Sequence, residues 1–206
     1  MTQDKRYLKT LIDHPNSEIR YQICEIFGKF YCQETEQYLL EWIKDKDALV
    51  RVNAVDELSQ SNSLVVLKIL ASQLRNENYL VRGYIVLSIG DIAMNIGGEV
   101  KKSVINFLQK EMKKDRSRWV KVNYYYSLHL LGQKEAYNQL LSQWKDKNDR
   151  IRCNAIHRMK DLLNRDNVMI TKHVIEKRLL IEEAPSVQNN LKELLLYLNK
   201  FYNAQR

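Results

Sequence analysis

The chain has 206 residues and a formal net charge of +8. Apolar residues make up 45% of it and charged residues 28%, which excludes a disordered or fibrous chain. This composition predicts a packed core and a solvated surface. The first ten residues, MTQDKRYLKT, lack the apolar segment of a signal peptide, and no uninterrupted apolar stretch approaches the roughly 18 residues of a membrane helix. We therefore expect no targeting segment and no membrane.

Cys24, Cys32 and Cys153 have neither CxxC nor zinc-ligand spacing. Three unpatterned cysteines are typical of buried or half-buried side chains in a reducing cytosol, so we predict a cytoplasmic protein. The basic charge balance makes nucleic acid or another acidic partner worth testing, although it says nothing about the fold.

One local signature recurs six times, a β-branched aliphatic residue followed at once by a basic or polar residue. The pairs are Ile19-Arg20, Val50-Arg51, Val81-Arg82, Val120-Lys121, Ile151-Arg152 and Val187-Gln188. A period of about 20 to 50 residues indicates an array of structural repeats. The period continues through the chain without a linker, so we predict a single domain, 1–206. Its approximate repeats are 1–31, 32–61, 62–96, 97–132, 133–165 and 166–206.

Each pair predicts the start of a helix, called here a signature helix. Three residues before the pairs stand Asn16, Asp47, Asn78, Ser117, Asn148 and Ala184. Five of these six are good helix N-caps. If the β-branched residue is position 0, then positions 0, 4 and 8 form one apolar stripe, as in Ile19, Ile23 and Phe27.

A second helical run, the linking helix, precedes each signature helix, as in Leu64, Leu67, Leu70 and Leu74. We therefore predict twelve helices in six pairs, which bury their apolar faces by stacking on one another. The spacing between the third and fourth signatures is the longest, and its extra residues fall near 95–98, Asn-Ile-Gly-Gly. This predicts a longer third signature helix or fourth linking helix around a break at the glycines.

The segments DALVRVNAVDEL (47–58) and NDRIRCNAIHRM (148–159) show the pattern best, with a polar cap, a Val/Ile-Arg pair, and small or aliphatic residues after it. The pattern resembles HEAT-like repeats, specifically the short class found in phycobilisome-lyase-type proteins, and the resemblance covers essentially the whole chain. It implies an all-α fold, a right-handed α-solenoid of HEAT-like or armadillo type with about six helix pairs. Such arrays support many unrelated functions.

The resemblance also implies a structural role for the polar residues that repeat. The expected ladder consists of Arg20, Arg51, Arg82, Lys121 and Arg152. In such repeats this arginine bonds acidic or carbonyl groups of an adjacent turn, and Asp45 and Asp47 are suitable partners. We expect the asparagines at position 3 to join neighbouring repeats in the same way; they are Asn53, Asn123, Asn154 and Asn190.

Positions 2, 6 and 9 of a signature helix point away from its apolar stripe. In HEAT-like arrays this face lines a concave groove, which here is apolar and aromatic in its middle. The predicted partner-binding residues are Val52, Leu87, Val122, Tyr126, His129 and His157. An exposed apolar patch in a concave surface is a candidate for binding a protein or peptide. The alternative is a tight array in which these residues touch neighbouring helices.

Positive charge is concentrated in two turns, 110–121 and 145–152. Trp119 lies within the first, and Trp144 directly precedes the second. The candidate polyanion contacts are Lys110, Lys113, Lys114, Arg116, Arg118, Lys145, Lys147 and Arg150. These basic side chains could bind a phosphate backbone, and Trp119 and Trp144 could stack on bases. The alternative is a solvated turn edge, with both tryptophans packed between linking helices.

No pattern indicates catalysis, and we predict no catalytic residue, cofactor or metal. His14, His129, His157 and His173 lack metal-ligand spacing. Three enzyme families share this type of fold. The chain has no His-Glu dipeptide of the deoxyhypusine hydroxylases, and the predicted groove has no tryptophan of the HEAT-like alkylpurine DNA glycosylases. Phycobilin lyases act on a pigment, which sequence does not reveal.

The leading hypothesis is a non-catalytic scaffold that binds a protein or peptide in its groove. The alternative is a DNA- or other nucleic-acid-binding protein, related to the glycosylases, that uses the basic turns. A third hypothesis concerns self-association: the protein is a monomer or forms a weak dimer through its last helix, because that helix is apolar on more than one side. Its apolar residues are Leu194, Leu195, Leu196, Tyr197, Leu198, Phe201 and Tyr202.

Overall fold

The computed structural model describes the backbone of residues 10–203 and the side chains of residues 10–200. Residues 10–12 are helical, and the α-helices after them are α1 Ser17–Lys29, α2 Gln33–Trp42, α3 Ala48–Glu57, α4 Leu64–Gln73, α5 Tyr79–Ile96, α6 Gly98–Lys114, α7 Arg118–Leu130, α8 Glu135–Ser142, α9 Asp149–Met159, α10 Val168–Leu179 and α11 Pro185–Asn203. Short 3-10 turns extend α3, α8 and α9. The described residues contain no strand, which confirms the all-α prediction.

The helix starts follow the repeated signature. Asn16, Asp47, Asn78, Ser117 and Asn148 are N-caps whose side chains accept hydrogen bonds from first-turn amides, as predicted. The sixth signature helix begins at Pro185, whose fixed φ suits the first helical position. The signature helices are therefore α1, α3, α5, α7, α9 and α11, and the linking helices between them are α2, α4, α6, α8 and α10.

The chain divides into two compact units between Asp115 and Arg116. In the first unit α3 packs between α1 and α5, and in the second α9 packs between α7 and α11. The position-0 residues form the core of both stacks, since Val50 and Val120, for example, are fully buried. Burial of one such side chain contributes about 1.5–3 kcal/mol. The prediction of a single domain stays a prediction.

The third signature helix and the next linking helix are the long pair of the first unit. Helix α5 has 18 residues and α6 has 17. Gly97 and Gly98 join them with φ angles of 74° and 54°, a left-handed backbone that glycine adopts without strain. The extra residues of the long spacing thus lengthen both helices around the glycine break.

Helix α5 is also long and apolar enough to cross a membrane, judged by length and composition alone. More than half of it is buried inside the protein. Its burial is that of a core helix, which packs against α3, α4 and α6.

Candidate functional site

The arginines of the signature tie one repeat to the next. Arg20 donates from Nε and Nη2 to Asp45 at 2.7 and 2.8 Å, and from Nη1 to the His14 carbonyl at 2.6 Å. The same pairing joins Arg51 to Glu77, Arg82 to Asp115 and Arg152 to Glu182. Each of these arginines also donates to a carbonyl five or six residues before it. The four arginines thus make the bonds expected of the ladder, and Asp45 is the partner of Arg20.

The fourth copy departs from this arrangement. The Lys121 side chain has no ion pair or hydrogen bond within the described part of the chain. Arg118, three residues earlier, instead donates from Nη1 to both carboxylate oxygens of Asp146 at 2.9 and 2.8 Å. Its side chain is 56% exposed, whereas Asp146 is nearly buried. The repeat-to-repeat tie is therefore kept by a different residue, which lies nearer the solvent.

Position 3 carries a second set of ties between signature helices. Asn53 Nδ2 donates to the Tyr21 carbonyl at 3.0 Å. Asn154 Nδ2 lies 3.3 Å from both the Trp119 carbonyl and Asn123 Oδ1. Asn53 and Asn154 thus donate to the neighbouring signature helix, and Asn123 accepts, as the joining role predicts.

Most of the predicted groove residues are not accessible. Leu87, Val122 and Tyr126 are 3%, 0% and 9% exposed, and Val52 is half-buried. This corrects the expectation of an exposed apolar patch at the first three positions. An outward helical phase does not leave a side chain exposed where neighbouring residues cover it, so the alternative of close packing describes them.

His129 is not a groove contact either. Its ring centroid lies 5.1 Å from that of Tyr137, which belongs to the linking helix α8. The side chain thus packs toward the linking helices, and burial lowers the pKa of His129. Of the residues predicted for the groove, His157 is the exposed one in the second unit.

His157 lines a cleft of about 160 Å³ between α9 and α11, called here the α9–α11 cleft. Its floor is apolar, since Ile156 and Leu194 are 1% and 4% exposed. The polar residues around it are His157, Lys160, Asn190, Glu193 and Tyr197. All of them come from two neighbouring signature helices of one unit or from the short turn that extends α9.

The electrostatics of the cleft are mixed. The Lys160 ammonium lies 4.8 Å from the centroid of the Tyr197 ring, which is a cation–π contact. Partial desolvation, and then the positive charge of Arg158, lower the pKa of His157 although its side chain is exposed. At neutral pH its imidazole is therefore uncharged and offers one donor and one acceptor. The cleft presents a cation, a carboxylate, a neutral imidazole and an aromatic ring above an apolar floor.

Helical phase anticipates part of this cleft. His157 and Glu193 both stand at position 6, and Lys160 stands at position 9, which is the outward set used for the predicted groove. The sequence pattern places Tyr197 instead among the apolar residues of the last helix that we expect to self-associate. Position 10 of that helix follows directly on the outward set, and this phase is the signal that would have placed Tyr197 in the cleft.

The predicted polyanion residues are all exposed. Lys110, Lys113 and Lys114 belong to the first unit, and the other five belong to the second. Lys114 bonds Glu111 at 3.1 Å, which Arg75 holds as well. Trp144 is 1% exposed, so the prediction that a nucleic-acid base stacks on this side chain is wrong. Trp119 is half-buried.

The cysteines differ in environment. Cys24 is buried and Cys153 half-buried, as expected, but Cys32 is exposed at the start of α2, which corrects the prediction for that residue. Burial raises the pKa of the Cys24 thiol. Hydrogen bonds from Thr35 lower the pKa of Cys32. Within residues 10–200, no group of three or more His, Cys, Asp or Glu side chains is placed to hold a metal ion.

The apolar residues of the last helix divide between core and surface. Leu194 and Leu198 are buried in the second unit, whereas Leu196 is 62% exposed. Phe201 and Tyr202 lie outside the described side chains. Association through this helix stays a prediction.

Comparison with known proteins supports the repeat assignment. Residues 5–92 match the family model described as HEAT repeats, and no curated protein sequence matches the chain. Among solved structures, the CpcE–CpcF complex of phycocyanin lyase from Nostoc sp. PCC7120 is 12% identical, with a TM-score of 0.49 and 93% of each chain covered. A designed armadillo repeat protein is 17% identical, with a TM-score of 0.42, and the match covers 94% of this chain and 99% of that one. The family match assigns HEAT repeats to residues 5–92, and the stacked helix pairs of the described residues have the architecture expected of such repeats.

Proposed function

We propose that the protein is a non-catalytic scaffold that binds a protein or peptide on the signature-helix face of its second unit. The observation that carries this proposal is the α9–α11 cleft, where exposed side chains that differ from repeat to repeat surround an apolar floor. A HEAT-like fold commonly serves protein binding, and the cleft supplies a local binding point.

The division of polar residues supports a binding role for this face. Side chains that recur along the chain, such as Arg20 and Asn53, are occupied by bonds between repeats. The signature-helix positions that vary remain open at α9 and α11, where the exposed residues are His157, Lys160, Glu193 and Tyr197. Recurrent residues therefore stabilise the stack, and variable residues are left to select a partner.

The size of the cleft favours a peptide over a small molecule. Pockets for drug-sized ligands measure about 300–1,000 Å³, whereas this one measures about 160 Å³. A space of this size fits one side chain of a partner whose remaining contacts lie on the surrounding face. The apolar floor suits an aliphatic or aromatic side chain, and Lys160 and Glu193 suit charges on either side of it.

A site-specific crosslinking experiment tests the proposal. A photoreactive phenylalanine analogue replaces Tyr197, and in a matched control it replaces Tyr79, which is exposed in the first unit. We expect a discrete protein adduct from position 197 and none of the same mass from position 79. The adduct identifies the partner, whose affinity is then measured with purified proteins.

Substitutions in the cleft then give the decisive comparison. His157→Ala together with Lys160→Glu should weaken partner binding at least tenfold, because the loss of two central contacts that each contribute about 1 kcal/mol exceeds the roughly 1.4 kcal/mol of a tenfold change. Lys192→Glu changes an exposed lysine of α11 that does not line the cleft, and it should bind as tightly as the unmodified chain. Equal affinity for all three proteins contradicts the proposal.

A further inference from the structure

We propose a second site in the second unit, distinct from the α9–α11 cleft, that binds the phosphate backbone of a nucleic acid. It consists of Arg116, Arg118, Lys145, Lys147 and Arg150, called here the basic edge. All five side chains are exposed. The site goes beyond the proposed protein binding, because none of its residues lines the cleft.

Hydrogen bonds place the two turns of the basic edge side by side. Arg118, at the start of α7, holds the Asp146 carboxylate in the turn before α9. Arg152, which is buried on α9, donates to the carbonyls of Asp146 and Lys147 in the same turn at 2.7 and 3.2 Å. The backbone that carries the lysines is therefore held from both sides.

Most of the positive charge on this edge is unneutralised. Asp146 is occupied by Arg118. Among the described residues, no carboxylate forms an ion pair with Lys145, Lys147 or Arg150. Asp149 is the remaining acid of the turn, and its Oδ1 accepts from the Arg150 backbone amide. The segments 116–118 and 145–150 together carry five basic and two acidic residues.

The corresponding turns elsewhere lack this excess. Segments 44–49 and 75–80 of the first unit each carry as many acidic as basic residues. In the last turn of the second unit, Glu182 is held by both Arg152 and Arg178, and Glu183 is exposed. The basic edge is therefore bounded on the side of α11. Of its five cations, Arg118 is paired with Asp146, which leaves four to neutralise about four phosphates.

The chemistry of the edge favours phosphate groups. Arginine matches phosphate oxygens in a bidentate fork, and lysine adds compact positive charge. Helices α7 and α9 begin at this edge, and their positive ends add to the same field. Trp144 is buried and does not stack on a base. Backbone contacts without stacking are independent of sequence, and they favour duplexes at least as much as single strands.

Nucleic-acid binding by the basic edge is tested by fluorescence anisotropy with the full chain. The labelled ligands are a 20-mer duplex DNA and a 20-mer single-stranded RNA of mixed sequence, and the competitor is polyglutamate. We expect the duplex to bind at low salt and its affinity to fall about 100-fold between 50 and 200 mM salt, as four neutralised phosphates require. Lys145→Glu, Lys147→Glu and Arg150→Glu combined should reduce the salt slope by about three.

A matched triple variant controls for net charge. Lys134→Glu, Lys177→Glu and Lys192→Glu reverse three exposed lysines outside the basic edge and should keep most of the binding. Three results overturn the proposal: no duplex binding at 50 mM salt, equal losses in both triple variants, or polyglutamate competing as well as DNA of equal charge. The last result assigns the edge to acidic proteins. Circular dichroism of each variant confirms that it folds.

Discussion

The two units use different side chains to join neighbouring repeats. In the first unit every signature arginine, Arg20, Arg51 and Arg82, meets a carboxylate of the next turn. In the second unit the first signature carries Lys121, and Arg118 supplies the bond from an exposed position. The last signature carries Gln188, whose amide donates to the Glu182 carbonyl. The first unit thus pairs each signature arginine with an acid of the next turn, whereas the second replaces two of its signature arginines by Lys121 and Gln188.

This difference separates stability from binding. A regular ladder of buried pairs contributes to the stack and offers little to a partner. The irregular ladder of the second unit also holds its repeats together. In addition, this unit exposes positive charge along the basic edge and variable side chains in the α9–α11 cleft. Each of the following substitutions sharpens or breaks this contrast.

The largest effect is expected at Glu182, which is 5% exposed and held by both Arg152 and Arg178. Glu182→Ala leaves buried positive charge without its partner and should lower the free energy of unfolding by about 3–5 kcal/mol. Urea titration followed by tryptophan fluorescence measures it, since Trp119 and Trp144 lie in this unit. Glu183→Ala, at an exposed neighbour, should change stability by less than about 0.5 kcal/mol. Similar values for the two variants would mean that the double pair is not structural.

A smaller effect separates the two kinds of ladder bond directly. Arg82→Ala removes two hydrogen bonds from Asp115, whose side chain is 6% exposed, and should cost about 2 kcal/mol. Arg118→Ala removes an exposed arginine and should cost less than about 1 kcal/mol. The same urea titration applies to both. If Arg118→Ala is the more damaging change, the surface bond of the second unit is as structural as the ladder of the first.

The smallest effect is a pH dependence at Glu111, where hydrogen bonds from Arg75 outweigh burial and lower the pKa to about 2. The ionised carboxylate therefore stabilises the fold above its unfolded pKa, near 4.3, and this contribution is lost as the pH falls toward 2. Because Arg75 is largely exposed, Glu111→Gln should cost only about 1 kcal/mol at pH 7. The difference from the unmodified chain should shrink at pH 3. Glu99→Gln, in an exposed pair with Lys102, should change the free energy of unfolding by less than about 0.5 kcal/mol at pH 7.

The sequence predicts the fold well because its signals are local. Asn16 or Asn148 can cap a helix whatever lies across the stack, and the Ile19–Ile23–Phe27 stripe fixes the buried side of α1. The partner of Arg20 is also predictable, since Asp45 stands in the turn one repeat away.

The candidate site is less predictable because accessibility depends on neighbours. Leu87 and Val122 have the same outward phase as His157 and Glu193, yet they are buried and the latter are exposed. His129 turns toward Tyr137, which no periodicity indicates. The bond from Arg75 to Glu111 joins the turn after α4 to helix α6, outside the signature, and has no repeated pattern that could reveal it.

The junction at Gly97 and Gly98 sets where this architecture can change length. Arg82 and Asp115 fasten the start of α5 to the end of α6, so additional turns of either helix project from the opposite end. Helix α5 is about 27 Å long, against about 20 Å for α1. Insertions or deletions at the glycines therefore alter the reach of one helical hairpin while the arginine ladder keeps its register. This is the point in the first unit at which the array can acquire a new projecting element without being rebuilt.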